Sequence, residues 1–426
     1  MAELNLFQTD RTTRQKYCLK QWIKYKCKAT IEAVTGFGKS RIGLMAIKLL
    51  KHKFPNIRCL IVVPTDVLKL QWEAHLVEWD LVFNCDVYVI NTVVKNKWIY
   101  DFLVIDEIHR AAADTLSKVF ECVTYKYILG LTATLDRLDG KESIVKKYCP
   151  ICDRVGIEEA LLNKWVSPYK EYAILIHPKD INIYNDLTAK FNRAFGFFSY
   201  DFNLAMSCIG GKKAFEVRKA LAKQMSNGSN YSEMLKAITA NSMIFTKTMQ
   251  ERKKYINNHP TKILLARKII EAYPNKKIIT FSNNIKMAEA IQNGENVYTG
   301  KLSKTKSRVM MEDFNKQNTG VLNTIKKVDE GVDVKGLSIA IMLGIDSSAI
   351  RNTQRVGRAI RFSPNKQALI FYLLIDGTKE TEWLYKNHKD DLSNVEVIDE
   401  RQLDNVLRGK EYKKHEGNLA RFTFRF

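Results

Sequence analysis

The chain has no long apolar run. Its most continuous apolar stretches, such as Cys59–Val63 and Leu103–Ile105, are the length of a buried strand and fall far short of the ~18–20 residues a membrane helix needs. The opening Met1–Asp10 is too short and too polar for a secretory leader. The expectation is a cytoplasmic protein with no membrane partner. A second close cysteine pair is also missing. Among eight cysteines only Cys149-Pro150-Ile151-Cys152 has CxxC spacing, too few ligands for a closed tetrahedral zinc site, so reduced structural thiols are expected. There is no internal repeat, no low-complexity tract and no nuclease motif. Acidic residues are scarce beside basic ones, with Asp+Glu 46 against Lys+Arg 68, a formal net charge of +22.

What is present is a globular composition. The 426 residues are 46% hydrophobic, enough for two or three domains with real cores. A positive excess of this size self-repels unless screened, and nucleic acid is the usual screen, although a lysine-rich solvated surface has the same composition. From about Ala29 to Val155, apolar runs at Ala29–Val34, Arg58–Val63, Asp86–Ile90, Phe102–Ile105 and Tyr127–Leu131 alternate with helical stretches. Such alternation predicts a parallel sheet covered on both faces. It recurs at Lys277–Thr280, Asn296–Tyr298, Val321–Asn323, Ile339–Met342 and Ala368–Leu373. Two lobes follow. Between them, about Ile181 to Tyr255, the chain reads as helices, and residues 196–255 carry ten Lys/Arg against four Asp/Glu. The interleaved rings Phe191, Phe195, Phe197, Phe198, Tyr200 and Phe202 suit base stacking, but the core of a small helical insertion explains most of them more simply.

The sharpest chemical signal is Thr35-Gly36-Phe37-Gly38-Lys39-Ser40, placed after an apolar strand and before the helix Arg41–Lys51. Strand, glycine loop and helix together make a phosphate-binding loop. Its glycines let backbone N–H groups close around phosphates, and the helix N-terminus adds positive potential. Lys39 would reach the β/γ-phosphates and Ser40 would place a hydroxyl on Mg²⁺. Downstream, the strand Phe102–Ile105 runs into Asp106-Glu107-Ile108-His109. Carboxylates at the carboxyl end of a parallel strand face the ligand crevice. Asp106 would hold Mg²⁺ with Ser40, and Glu107 would orient and deprotonate the attacking water. ATP and Mg²⁺ are therefore the expected cofactors.

On these residues the chain resembles the superfamily 2 helicases of the DExH branch. Asp-Glu-Ile-His matches motif II. Gly130-Leu131-Thr132-Ala133-Thr134 resembles motif III, which implies that Thr132 and Thr134 couple ATP state to nucleic-acid grip. Ile61-Val62-Val63-Pro64-Thr65 through Gln71-Trp72 looks like motif Ia, and Asn91-Thr92 is a weaker match to the next backbone-contact motif. Gln15, 24 residues before Lys39, matches the adenine-reading glutamine. In the second lobe, Ile278 to Asn284, with Asn283, resembles motif IV, and Thr299-Gly300, Arg308 and Phe314 keep the spacing that precedes motif V. Thr324 through Gly331 and Asp333 resembles motif V, although Ile325-Lys326-Lys327 stands where small or apolar residues are common. Gln354-Arg355-Val356-Gly357-Arg358-Ala359-Ile360-Arg361 resembles motif VI, and the resemblance makes Gln354, Arg358 and Arg361 catalytic, the arginines as fingers on the transferred phosphoryl group. It likewise implies phosphate contacts from Thr65, Gln71, Thr92, Asn283, Thr299 and Thr324.

The resemblance runs from about Arg11 to Gly377 and implies an α/β fold of two tandem RecA-like parallel-sheet lobes. The expected divisions are 1–165 for the first lobe, 166–255 for a linker and basic helical insertion, 256–377 for the second lobe and 378–426 for a short C-terminal extension. The spacing is most like the phage UvsW-type and XPB-like branched-DNA helicases, or the motor of restriction-type enzymes. The N-terminus leaves little room for the extra DNA-binding domain some relatives carry. The reading is an ATP-dependent DNA helicase or translocase acting, as a monomer, on forked or branched DNA. An RNA helicase and a restriction-type motor subunit are the alternatives. A non-motor nucleic-acid-binding protein with a vestigial site would have lost Lys39, Glu107 or Arg361, and all three are present.

Overall fold

Strands rich in Val, Ile and Leu and buried on both faces can pair only inside a sheet with helices on each side. The computed structural model contains two such sheets, and it describes residues 10–113, 115–135, 140–226, 230–325, 334, 336–345, 367–387 and 395–414. The first sheet is built from β1 (Lys28–Ala33), β2 (Cys59–Val63), β3 (Cys85–Val89), β5 (Phe102–Asp106), β7 (Tyr127–Thr132) and β8 (Ile151–Val155) in the order β3-β2-β5-β7-β1-β8. Every pairing is parallel. The short β4 (Trp98–Ile99) and β6 (Val123–Thr124) pair separately.

Three helices position the ligand edge of this sheet: α1 (Arg11–Lys24), α2 (Lys39–Lys53) and α3 (Asp66–Glu78). Helix α1 starts at Asp10, whose carboxylate accepts from the Thr13 amide at 3.0 Å, satisfying one of the otherwise unpaired first-turn donors. It is pinned by Trp22, fully buried, whose indole donates to the Ile128 carbonyl at 2.8 Å.

The second sheet runs β11-β12-β10-β13-β14-β9-β15. Its members are β9 (Tyr169–Ile176), β10 (Lys277–Ser282), β11 (Val297–Tyr298), β12 (Gly320–Ile325), β13 (Ile339–Met342), β14 (Ala368–Ile375) and β15 (Val395–Asp399). Two sequence-based divisions move. Residues 169–176, assigned to the linker, are a strand between β14 and β15, and residues 395–399 of the C-terminal extension are the edge strand beside them. The apolar signal of β9 is diluted at its start by Lys170 and Glu171. The sheet accommodates both, since Glu171 accepts from the Tyr372 hydroxyl at 2.7 Å and Lys170 pairs with Glu396 at 3.2 Å.

Between β9 and β10 lie the helices Ile181–Phe197, Phe202–Ser207, Lys212–Met225 and Tyr231–Asn258. They have a core of their own, including Ala194, Phe198, Cys208, Ile238 and Phe245. Phe191 and Phe195 pack on Phe245 at 5.0 and 5.3 Å. The core reading of the aromatic cluster therefore holds for most rings, while Tyr200 and Phe202 are exposed.

Beyond β14, Glu380 on the helix Lys379–Asn387 meets Lys262 on the helix Pro260–Ala272 at 2.7 Å. Both side chains are wholly buried. Burial pushes the Lys262 ammonium down and the Glu380 carboxyl up, and each opposes the shift of the other. Glu380→Ala would strand a buried charge, and such breaks lose about 3–5 kcal/mol. The expected result is a lowered urea midpoint for the second lobe, with most of the loss recovered in the Lys262→Met/Glu380→Leu double variant.

Candidate active site

Sheet order brings the carboxyl ends of β1, β7 and β5 side by side, so the loop after β1 and the carboxylates after β5 face one region. Gly36 and Gly38 both take left-handed φ, 93° and 96°. At Gly38 the position is closed to side chains in a second way, because a Cβ there would lie 2.6 Å from Gln15 Nε2. Gln15 is fully buried and donates from Nε2 to the Phe37 carbonyl at 2.8 Å, fixing the amide against the loop. Its Oε1 is buried and has no hydrogen-bond partner among the described residues, and the same holds for Thr35 Oγ1. Lys39 Nζ donates to the Ala33 carbonyl at 3.2 Å. Helix α2 begins without a side-chain cap, leaving its first N–H groups, with Ser40 in the first turn, open to an anion.

Asp106 is buried, and its Oδ2 accepts from the Trp72 indole at 2.8 Å. Trp72 reaches it across α2 only because residue 43 is glycine; a Cβ there would lie 2.6 Å from the Trp72 ring. Burial first, and the Glu107 charge second, push the Asp106 carboxyl up to about 6, against the Trp72 hydrogen bond and the Lys39 charge. Glu107 has a left-handed φ of 51°, which swings the chain off the strand into the short helix Ile108–Ala112.

The next contacts form a chain. His109 Nδ1 lies 3.3 Å from Glu107 Oε2 and 3.1 Å from Thr132 Oγ1. The Thr132 hydroxyl donates to the Thr134 carbonyl at 2.7 Å. Because that proton is spent, His109 Nδ1 is the donor to Thr132. The imidazole thus hydrogen-bonds Thr132 at the end of β7 and lies beside the carboxylate that follows β5.

The remaining expected residues are more scattered. Thr65 caps α3, its hydroxyl accepting from the Leu68 amide at 3.3 Å. Gln71 is half-buried on α3, and Thr92 is exposed in the short helix Ile90–Val93. In the second sheet, Asn283 donates to Asn257 Oδ1 at 2.6 Å, joining the loop after β10 to the last helix of the insertion. Thr299 Oγ1 accepts from the Lys301 amide at 3.1 Å. Thr324 corrects an expectation: fully buried, it spends its hydroxyl on the Thr280 carbonyl at 2.6 Å and ties β12 to β10, so it presents nothing to a phosphate here. Gly331, Asp333, Gln354, Arg358 and Arg361 lie outside the described residues. Sequence reading missed Trp72 as a partner of Asp106, and the only trace of it was a tryptophan near a helical glycine.

The residues fit a magnesium nucleotide. Two buried polar atoms lack partners, a desolvated carboxylate stands near Lys39, and a helix N-terminus is open. Ser40 and Asp106 would hold Mg²⁺, whose chemistry when bound is to neutralise phosphate charge. Cys149 and Cys152 flank the start of β8. Burial raises both thiols to about 12, Thr30 Oγ1 donates to the Cys149 carbonyl at 2.7 Å, and no cluster of metal-binding side chains occurs among the described residues. No helix among them is long and apolar enough to cross a membrane.

Known proteins resemble this chain across parts of both sheets. Residues 8–97 and 93–137 match the family model "Type III restriction enzyme, res subunit", and residues 261–363 match "Helicase conserved C-terminal domain". The DNA 3'-5' translocase XPB2 of Sulfurisphaera tokodaii is 25% identical over 390 residues, 86% of this chain and 82% of that protein. Among solved structures, the Hef helicase domain of Pyrococcus furiosus superposes with a TM-score of 0.52 at 17% identity, covering 90% of this chain and 99% of that one. S. cerevisiae Dbp5 bound to RNA and ADP BeF3 gives 0.57 at 12% identity, covering 92% and 91%.

The raised Asp106 carboxyl has a consequence for stability. Its folded-state value lies above the ordinary 3.8, so the unfolded chain ionises first and the folded state loses stability as pH rises from about 4 to about 6. Asp106→Asn removes that penalty. In chelator at pH 7.5 the variant should gain on the order of 2–3 kcal/mol, with a raised Tm, and the gain should vanish as pH falls toward 4.

Proposed function

This chain is an ATP-hydrolysing helicase of superfamily 2, and from that premise we propose a DNA translocase of the DExH, XPB-like and UvsW-like branch that displaces strands or migrates branches at forked or branched DNA. The observation that carries the branched-DNA reading is the helical insertion. It is a self-cored unit whose last helix, Tyr231–Asn258, has 28 residues and so reaches ~42 Å at 1.5 Å per residue. Its Lys212, Lys213, Lys223, Lys236, Lys247, Lys253 and Lys254 are all exposed. That arm offers a second basic surface beside the two lobes, which a junction can engage and a plain single strand does not need. Kinship to the Sulfurisphaera tokodaii DNA translocase over most of both chains supports DNA over RNA.

In this mechanism the chain's own groups divide the work. Gln15 reads the base edge with its unpaired Oε1. The loop Thr35–Ser40 and the N-terminus of α2 hold the phosphates, and Lys39 balances their charge. Glu107 orients the attacking water and accepts its proton. Arg358 and Arg361, which the resemblance casts as fingers, stabilise charge that spreads over the transferred phosphoryl oxygens. The contact chain Glu107–His109–Thr132–Thr134 passes the state of the site to the strand-gripping loops. Thr65, Gln71 and Thr92 on the first lobe and Asn283 and Thr299 on the second are the proposed backbone contacts. Contacts of this kind read phosphates and not bases, so binding weakens steeply with salt.

Glu107→Gln should bind ATP normally while turnover falls by ~10²–10⁴, the usual contribution of a positioned general base; single-turnover hydrolysis beside nucleotide binding measures this. Substrate class is tested by ATPase rate and strand displacement on single-stranded, duplex, forked and four-way DNA and on RNA, at two salt concentrations. Stimulation and displacement should be greatest on forked and four-way DNA. Stimulation by RNA alone would make the protein an RNA helicase, and no ATP-dependent activity on any branched DNA would refute the branch reading.

A further inference from the structure

Because β9 belongs to the second sheet, the chain passes from the first lobe to the second through one short stretch, residues 163–168, between the helix Ile157–Leu162 and β9. This connector is not a loose tether. Lys164 turns it with a left-handed φ of 56°. Trp165, Val166 and Ser167 are buried. The Trp165 amide donates to the Ala160 carbonyl at 2.8 Å, and the Pro168 carbonyl accepts from Ala368 at the start of β14 at 2.9 Å. One end is fastened to the first lobe and the other to the second.

The ring of Trp165 packs on Phe37, with centroids 5.0 Å apart. Phe37 is the residue between the two glycines of the phosphate loop, and it is fully buried. Its carbonyl is the group that Gln15 holds at 2.8 Å. One turn earlier on α1, Arg11 donates to the Trp165 carbonyl at 2.5 Å. Phosphate loop, adenine-reading helix and interlobe connector thus close into one ring of contacts: Gln15 to Phe37, Phe37 to Trp165, Trp165 to Arg11, and Arg11 along α1 back to Gln15. A purely structural plug at Phe37 would need only aliphatic bulk. Here the ring stands on the one residue whose ring is buried in the connector.

The geometry points to Trp165 as a positioning residue that couples occupancy of the phosphate loop to the set of the interlobe connector. The loop cannot rearrange around phosphates without moving Phe37, whose two glycine neighbours give it that freedom. Phe37 cannot move without shifting the Trp165 ring, and tight packing makes such shifts discrete and not gradual. Nucleotide binding therefore selects one connector geometry, and with it one relation between the lobes, through a contact outside the chemistry. The inference rests on the motor reading above.

Its test uses the full chain with Trp165→Leu and Trp165→Phe. For Trp165→Leu, unstimulated kcat and the KM for ATP should stay within about twofold of the parent, while nucleic-acid-stimulated ATPase falls about tenfold and displacement falls with it; Trp165→Phe should restore stimulation to within about threefold. A second readout is independent of turnover. In a Trp72→Phe background, which removes the indole beside Asp106, adding Mg²⁺ with a non-hydrolysable ATP analogue should change tryptophan emission, and introducing Trp165→Phe into that background should abolish most of that change. Parent-level stimulation in Trp165→Leu, an equal loss of stimulated and unstimulated rates, or an emission change that survives Trp165→Phe would each overturn the coupling. If Trp165→Leu does not fold, the emission comparison decides alone. A parent stimulated by no nucleic acid would refute the motor reading instead.

Discussion

A pocket of polarity that the protein does not satisfy for itself sits at the carboxyl edge of the first sheet. Gln15 Oε1 and Thr35 Oγ1 are buried without partners among the described residues, and Asp106 is held in a setting that opposes its charge. Leaving such groups unpaired costs free energy, so the surrounding fold must over-determine them. It does so with apolar packing beneath and beside the pocket: Trp22 under α1, Trp72 laid over Gly43, and Phe37 against Trp165. A ligand that satisfies these atoms binds the folded state alone and returns that free energy as stability.

The same economy explains the topology. A parallel sheet puts every strand's carboxyl end on one edge, so loops after β1, β5 and β7 converge without long excursions. The second sheet repeats the plan. Its strand β9 arrives directly from the first lobe, before the helical arm and the rest of the sheet, which reduces the connection between lobes to one short segment buried at its centre. A motor needs its two halves joined by something that can hold distinct positions, and a six-residue stretch anchored at both ends meets that need better than a long flexible linker.

Much of this was legible in the sequence, for identifiable reasons. Strands such as Cys59–Val63 and Ile339–Met342 are buried along their whole length and announce themselves as apolar runs. The candidate phosphate loop Thr35–Ser40 and the pair Asp106-Glu107 are each contiguous in sequence, so spacing alone exposes them as candidates. What escaped needs tertiary context. Edge strand Ile151–Val155 buries little beyond its last residue and therefore carries Asp153 and Arg154. Strand Tyr169–Ile176 hides its character behind Lys170 and Glu171, whose partners lie about 200 residues or more downstream. The contacts of Trp72 with Asp106 and of Trp165 with Phe37 join residues 34 and 128 positions apart, and no local pattern encodes them. Thr324 marks the opposite failure, where a motif match suggested a phosphate contact and the folded strand had already used the hydroxyl.

The central claim is that the unpaired polar atoms beside α2 are the seat of an adenine nucleotide. Calorimetric titration of the full chain with a non-hydrolysable ATP analogue in Mg²⁺ tests it most directly. The account predicts one saturable site per chain, with the corresponding GTP analogue bound more weakly. No saturable uptake of either nucleotide would contradict it.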